Sequence, residues 1–218
     1  MRVIAIDGPA GAGKSTVAKR VSEATGLPYL DTGAMYRCVA YATQRDNVDI
    51  NDANAVSRIA HTATISIEGT IATLNGEDVS SSICSPEING IVSVIAAQSP
   101  VRDAMRQQQR QWIDTHGGGV VEGRDIGTVV FPEAILKIFL TASPLVRAER
   151  RVGQSGGNLE EVAAGIAQRD HIDSSREDSP LRPSSESVAV DSSNKSVDQV
   201  VAEIVSLFEL AETRNNNG

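Results

Sequence analysis

Residues 3–16 read Val-Ile-Ala-Ile-Asp-Gly-Pro-Ala-Gly-Ala-Gly-Lys-Ser-Thr, an apolar run that passes without a break into a glycine-rich loop ending in lysine and two hydroxyls. Val3 to Asp7 has the length and β-branched content of a strand buried on both faces, as in parallel sheets covered by helices. Lys14 to Thr25 then places Val17, Val21 and Ala24 on one helical face and stops at Gly26. Strand, loop and helix in that order are the context in which G-x-x-x-x-G-K-[ST] reads as a phosphate-binding loop rather than a glycine turn with an accidental lysine. Gly8, Gly11 and Gly13 let the backbone curl so that successive amides face an anion, and the helix opening at Lys14 aims its positive end at the same place. The loop residues Gly8, Pro9, Ala10, Gly11, Ala12, Gly13, Lys14, Ser15 and Thr16 are therefore the candidate donor site. There Lys14 would bridge the β- and γ-phosphates of ATP, and Ser15 would offer its hydroxyl to Mg2+.

Further short apolar segments follow at 28–31, 119–122, 135–141 and 187–191, with helical stretches between most of them. This alternation predicts an α/β fold, a doubly wound parallel sheet of about five strands joined by right-handed crossovers. Over 64–79 the rhythm breaks: Ile65 and Ile67 alternate with polar residues, and Glu68-Gly69 and Asn75-Gly76 carry turn signals, so a small antiparallel insertion is expected. Helices are expected over 86–98 and 100–115. The glycine-rich stretch 153–157 reads as a mobile connection before a helix opening at Asn158-Leu159-Glu160-Glu161. The last helix is expected over 197–212, followed by a polar, disordered tail at 213–218.

The chain has 218 residues, 40% of them hydrophobic, enough for one ordinary core. A net charge of −8 argues against a general polyanion binder, so no nucleic-acid partner is expected. Cys38 and Cys84 lack metal-ligand or redox spacing and read as free thiols of a reducing compartment. The apolar run after Arg2 is too short for a leader, and no window approaches the roughly 20 apolar residues that span a bilayer. A cytoplasmic location without a membrane partner is expected. No long heptad pattern or apolar surface stripe is visible, which favours a monomer.

A phosphate loop does not distinguish a kinase from a nucleotide switch or a motor. Asp114-Thr115-His116-Gly117 matches a switch D-x-x-G by letter but ends a helix rather than a strand, and Asn194-Lys195-Ser196-Val197-Asp198 misses N-K-x-D by one residue. The switch reading is disfavoured.

Three segments decide further: the loop at 8–16, Asp31-Thr32-Gly33-Ala34-Met35-Tyr36-Arg37, and Glu122-Gly123-Arg124-Asp125-Ile126-Gly127-Thr128-Val129-Val130-Phe131-Pro132. Together they closely resemble the bacterial cytidylate kinases. Similarity continues in 137–143 and in Arg169-Asp170-His171-Ile172-Asp173 with Arg176 and Pro180-Leu181, in the family's order over nearly the whole chain. The resemblance implies phosphate transfer from ATP to CMP and dCMP within one kinase domain over 1–218. It implies a core at about 1–35, 116–150 and 183–212, an acceptor-binding insertion at about 36–115 and a helical lid at about 151–182. The matching positions put acceptor-phosphate contacts on Arg37, Arg124 and Arg176, and base and sugar readers on Thr32, Ser93, Arg102, Asp125 and Asp173. Thr32 stands where many relatives carry serine and keeps the hydroxyl.

The residue chemistry agrees with this, because two anionic substrates need convergent guanidinium groups that hold phosphate bidentately and stay charged. Catalytic positions are assigned to Lys14, Arg124, Arg147, Arg151 and Arg169. Arg106 and Arg110 recur with Arg102 at helical spacing and read as a solvated face, Arg102 itself as functional. Asp7 and Asp31, at strand ends, would either hold magnesium through water or cap the following loop. The competing readings are a phosphate-loop kinase acting on another nucleotide or on shikimate, and a non-catalytic nucleotide sensor.

Overall fold

In the computed structural model, which describes residues 1–216, the chain alternates strand and helix at both ends and departs from that rhythm in the middle. It runs through β1 (Val3–Asp7), α1 (Lys14–Thr25), β2 (Tyr29–Asp31), α2 (Thr32–Arg45), α3 (Ala53–Thr62), β3 (Ile65–Glu68), β4 (Ile71–Leu74) and β5 (Glu77–Asp78). It continues through α4 (Pro86–Ala96), α5 (Ser99–His116), β6 (Gly119–Gly123), β7 (Leu136–Thr141), α6 (Pro144–Ser155), α7 (Leu159–Ser175), β8 (Val188–Asp191) and α8 (Val197–Asn216). A π-helical turn at Ile126–Val130 follows β6. The chain divides into two compact units, one of residues 1–29 and the chain from His116 onward, the other Leu30–Thr115.

The first unit is built on a five-stranded sheet in the order β2-β6-β1-β7-β8, entered through Tyr29 of β2. The short apolar runs are parallel strands because helices cover both faces: all five residues of β1 are buried. Ile4 lies opposite Val120 and Leu136, and Ile6 opposite Glu122 and Ile138. This register brings the carboxyl ends of β1 and β6 level, while β7 runs two residues further. Ile4, Ile6 and Ile138 pack in one core with Val17 and Val21 of α1 and with Ile204 and Phe208 of α8. Each fully buried side chain of this kind contributes about 1.5–3 kcal/mol. Gly26 ends α1 in the left-handed conformation, its N–H bonding the Ser22 carbonyl at 2.9 Å.

Two expectations for this unit change. Helix α6 runs on through Gly153 to Ser155, and the break comes only at Gly156 and Gly157, with φ of 71° and 104°. Nothing in α6 demands a special conformation at 153, so one glycine there does not end the helix. Residues 213–216 of the expected disordered tail continue α8, where the Thr213 hydroxyl donates to the Glu209 carbonyl at 2.9 Å, and 217–218 lie outside the described residues. Polar composition alone carried no helix stop there.

The second unit is helical with one small sheet. Side-chain oxygens start α2, α3 and α4: Asp31 accepts from Ala34 N, Asp52 from Ala55 N and Ser85 from Ile88 N. Strands β3, β4 and β5 form the antiparallel insertion, with Ile67 opposite Ala72 and Ile65 opposite Leu74. Asn75 and Gly76, at φ 53° and 84°, supply the two positive values that a tight hairpin turn requires. The unit starts at Leu30, and α2 is one continuous helix from Thr32.

Candidate active site

In the first unit the phosphate loop joins β1 to α1. Gly8 and Gly11 adopt φ of 154° and 76°, and neither has space for a side chain. A Cβ would stand 2.0 Å from the Leu140 carbonyl oxygen at Gly8 and 2.9 Å from that of Arg147 at Gly11. Gly13 opens α1 with no side-chain cap, leaving the first-turn amides, including those of Ser15 and Thr16, to point out of the helix.

Lys14 is only 7% exposed and its Nζ donates to the Pro9 carbonyl at 2.9 Å, folded back across the loop. Burial lowers its pKa to about 7; the nearby Arg124 and Arg169 push the same way, and Glu122 and Asp173 oppose them. The Ser15 hydroxyl donates to Glu122 at 3.1 Å, and the Tyr29 hydroxyl donates to the other oxygen of the same carboxylate. Asp7 caps rather than pointing at the loop: it accepts from Ile126 N at 2.8 Å and Gly127 N at 2.7 Å. Burial nevertheless raises its pKa to about 6, against those two N–H bonds. By this clamp the end of β1 sets the turn that follows Arg124 and Asp125, where the Asp125 carbonyl accepts from both Val129 N and Val130 N.

Arg124, Asp125, Asp173 and Arg176 come together in the same unit. The Arg124 Nε donates to Asp173 at 2.7 Å, and Arg176 lies 3.8 Å from Asp125 and 3.9 Å from Asp173. Burial would raise the pKa of Asp173, but Arg124, Arg169 and Arg176 outweigh it and hold the carboxyl below the usual range. Arg176 also donates from Nε to the Ser179 carbonyl at 2.6 Å, which fixes the chain after α7.

Of the assigned lid arginines, Arg147 donates to the Ala10 carbonyl at 3.0 Å and pairs with Asp170, while its Nε is buried without an acceptor. Arg169 is close enough to act on Lys14. The next contact from α6 to the loop comes from Arg150 rather than Arg151: Arg150 donates to the Ala12 carbonyl at 3.3 Å and to Ser192 Oγ at 2.9 Å.

The second unit holds Thr32, Arg37, Ser93 and Arg102. Thr32 is buried at the head of α2, and one turn on Arg37 pairs with Asp31 at 3.0 Å while its Nε is buried without an acceptor. Asp31 also caps α2, so its carboxylate serves helix and arginine together. Ser93 is buried in α4. Arg102 is 1% exposed, donates to the Ala96 carbonyl at 2.9 Å and lies over the Tyr36 ring at 5.6 Å. Of its helical neighbours, Arg110 is exposed, whereas Arg106 pairs with Asp103 and keeps only 13% of its side chain exposed.

The sequence reading gave no role to Glu122, Asp170, Ser192 or Tyr29, which the fold brings to the loop and its neighbours, and it named Arg150 beside the glycine-rich stretch without assigning it to the site. Only Glu122 carried a local signal, a carboxylate at the end of a strand beside the matching arginine.

A profile described as "Cytidylate kinase" matches residues 4–210. The chain is 42% identical over 211 residues to the cytidylate kinase of Ralstonia nicotianae, covering 94% of this chain and 91% of that one. It is 44% identical over 219 residues to the bifunctional pantoate ligase/cytidylate kinase of Prochlorococcus marinus strain MIT 9303, covering 95% of this chain. It spans only 45% of that relative's length. Among solved structures, a gluconokinase from Sinorhizobium meliloti 1021 aligns over 100% of this chain and 97% of its own at a TM-score of 0.56. Its 16% identity makes that a likeness of fold alone.

Proposed function

The chain belongs to the cytidylate kinase family, and on that basis we propose that it transfers the terminal phosphoryl group of ATP to CMP, and to dCMP, giving ADP and CDP or dCDP. One observation carries the reading. A buried lysine at the mouth of the phosphate loop has its charge opposed by Arg124 and Arg169, an arrangement that costs free energy until a polyanion enters. The unmatched Nε donors of Arg37 and Arg147 support it, since phosphate oxygens are the acceptors a buried guanidinium lacks.

Magnesium fits the residues present. The Ser15 hydroxyl is a hard oxygen donor at the end of the phosphate loop, and its hydrogen is taken up by Glu122, which leaves its lone pairs for such an ion. Ser15 would hold it, with Glu122 orienting the hydroxyl, and the ion would supply charge neutralisation at the phosphates. The chain's own part is to position and to neutralise. Lys14 leaves the Pro9 carbonyl for the donor phosphates, Arg124 and Arg169 face the charge that develops in transfer, and Arg37, Arg124 and Arg176 hold the acceptor phosphate. The acceptor is a phosphate oxygen, already ionised at neutral pH, so no general base is required. Thr32, Ser93, Arg102, Asp125 and Asp173 read the base and sugar, and the segment at about 151–182 acts as the lid that excludes water, with Arg147 and Arg151 both on α6 at its start. A cytoplasmic monomer without a nucleic-acid partner fits the charge and patterning.

The test is ADP release from MgATP with CMP, dCMP, UMP, AMP, dTMP or shikimate, each against an acceptor-free control. Strong release with CMP and dCMP and little with AMP or shikimate is expected. A flat response from a chain that still binds ATP would overturn the kinase reading in favour of a sensor.

A further inference from the structure

We infer that Asp170, on α7, is a positioning residue that holds the crest of the phosphate loop in its anion-binding shape by acting through Ala10 and Arg147. The inference rests on the donor-phosphate reading of that loop. Ala10 is gripped at every group it has. Its N–H donates to Asp170 Oδ1 at 3.0 Å, and its carbonyl accepts from Arg147 at 3.0 Å. Its methyl packs with Ala148 of α6 and Ile166 of α7. The second oxygen of Asp170 pairs with the same Arg147 nitrogen that holds the carbonyl. The carboxylate, the guanidinium and the two peptide groups flanking Ala10 thus form one closed ring.

This arrangement has two consequences. The peptide preceding Ala10 cannot turn its N–H inward without breaking a charge-assisted bond, so the curl at Gly11 to Gly13 starts from a fixed edge. The Arg147 guanidinium is held from its NH1 side, which leaves its buried Nε unmatched in a fixed direction. Gly11 belongs to the same fit, with Arg147's backbone where a side chain would be. The Asp170 side chain points to the loop rather than bonding within α7, where the residue serves the helix through its backbone, its carbonyl also accepting from Ser174 Oγ at 2.7 Å. Its loss should therefore act on the donor site more than on the fold.

The decisive measurement is MgADP affinity by calorimetry on the full chain, for wild type, Asp170→Asn, Asp170→Ala and Arg147→Lys. Asp170→Asn keeps the size and one acceptor oxygen but loses the charge. It should weaken MgADP roughly tenfold and Asp170→Ala further, with Arg147→Lys between wild type and Asp170→Asn. KM for ATP should rise by a similar factor while KM for CMP stays within about twofold, because the ring touches the donor loop alone. Amide exchange should speed up in the 8–13 segment and not in β1 or α8. Unchanged MgADP affinity in a folded Asp170→Asn chain, or equal rises in the KM for ATP and CMP, would overturn the inference. MgADP binding needs no acceptor, so a chain that phosphorylates none of the acceptors would refute the kinase reading and still leave Asp170 decided by this measurement.

Discussion

Lys14 is held in a state that its ligand should reverse. With a pKa near 7 it is mostly neutral at pH 8 and mostly charged at pH 6. An incoming phosphate favours the charged form, so MgADP binding should take up a proton at pH 8 and much less at pH 6. Calorimetry in two buffers of different ionisation enthalpy measures this directly. Lys14→Met should abolish the uptake and cut turnover roughly a thousandfold with the fold intact. Asp7 has the opposite sign from a surface carboxylate. Its folded pKa of about 6 lies above the ordinary 3.8, so the native state binds the proton more tightly than the unfolded chain does. Its contribution to stability therefore grows as pH falls through 6 toward 4, by about 3 kcal/mol for a shift of this size. Urea unfolding across that window should show the gain in wild type and lose it in Asp7→Asn. A gain of equal size in both chains would clear Asp7 of the effect. Lys14 was legible because its motif is contiguous. The clamp of Asp7 on residues 126 and 127 was not, since a strand-end aspartate looks the same whether it caps a turn or faces a metal.

Elements were legible where local pattern and tertiary demand agree. Short β-branched runs became parallel strands, the Asn75-Gly76 pair became a hairpin turn, and α1 begins and ends where loop and glycine said it would. The π-helical turn at Ile126–Val130 left no signal, because it depends on Asp7 reaching two amides from a different strand. The close approach of the phosphate loop to β7 belongs to this scale as well. Gly8→Ala puts a methyl 2.0 Å from the Leu140 carbonyl oxygen on a backbone that side chains disfavour. Loop and strand cannot both keep their places, so a loss of about 3 kcal/mol or more is expected in thermal or urea unfolding. A Gly8→Ala chain as stable as wild type would mean that the loop does not pack on β7 in this way.

At the scale of the whole molecule, the proposed monomer should sediment as one species of 23.0 kDa. At a net charge of −8 the chain should pass a duplex-DNA column at roughly 0.15 M salt while binding nucleotides. A dimer mass or DNA retention would remove the corresponding part of the proposal. The first unit is discontinuous, with Leu30–Thr115 interrupting it. Composition marked where the interruption breaks rhythm but not where it begins, because α2 has the same helical character on either side of residue 36. Reading residues in order was enough for the strand-loop-helix opening, the parallel α/β class, the antiparallel insertion and the phosphate loop. Each of these rests on conformational preferences written in runs of neighbouring residues. Folding alone decided that Asp170 and Arg147 grip Ala10, that Glu122 takes the Ser15 hydroxyl and that Arg150, not Arg151, meets the loop. Those pairs lie more than a hundred residues apart, and they meet only because the sheet order sets β6 on one side of β1 and β7 on the other, bringing the carboxyl ends of these strands around one loop.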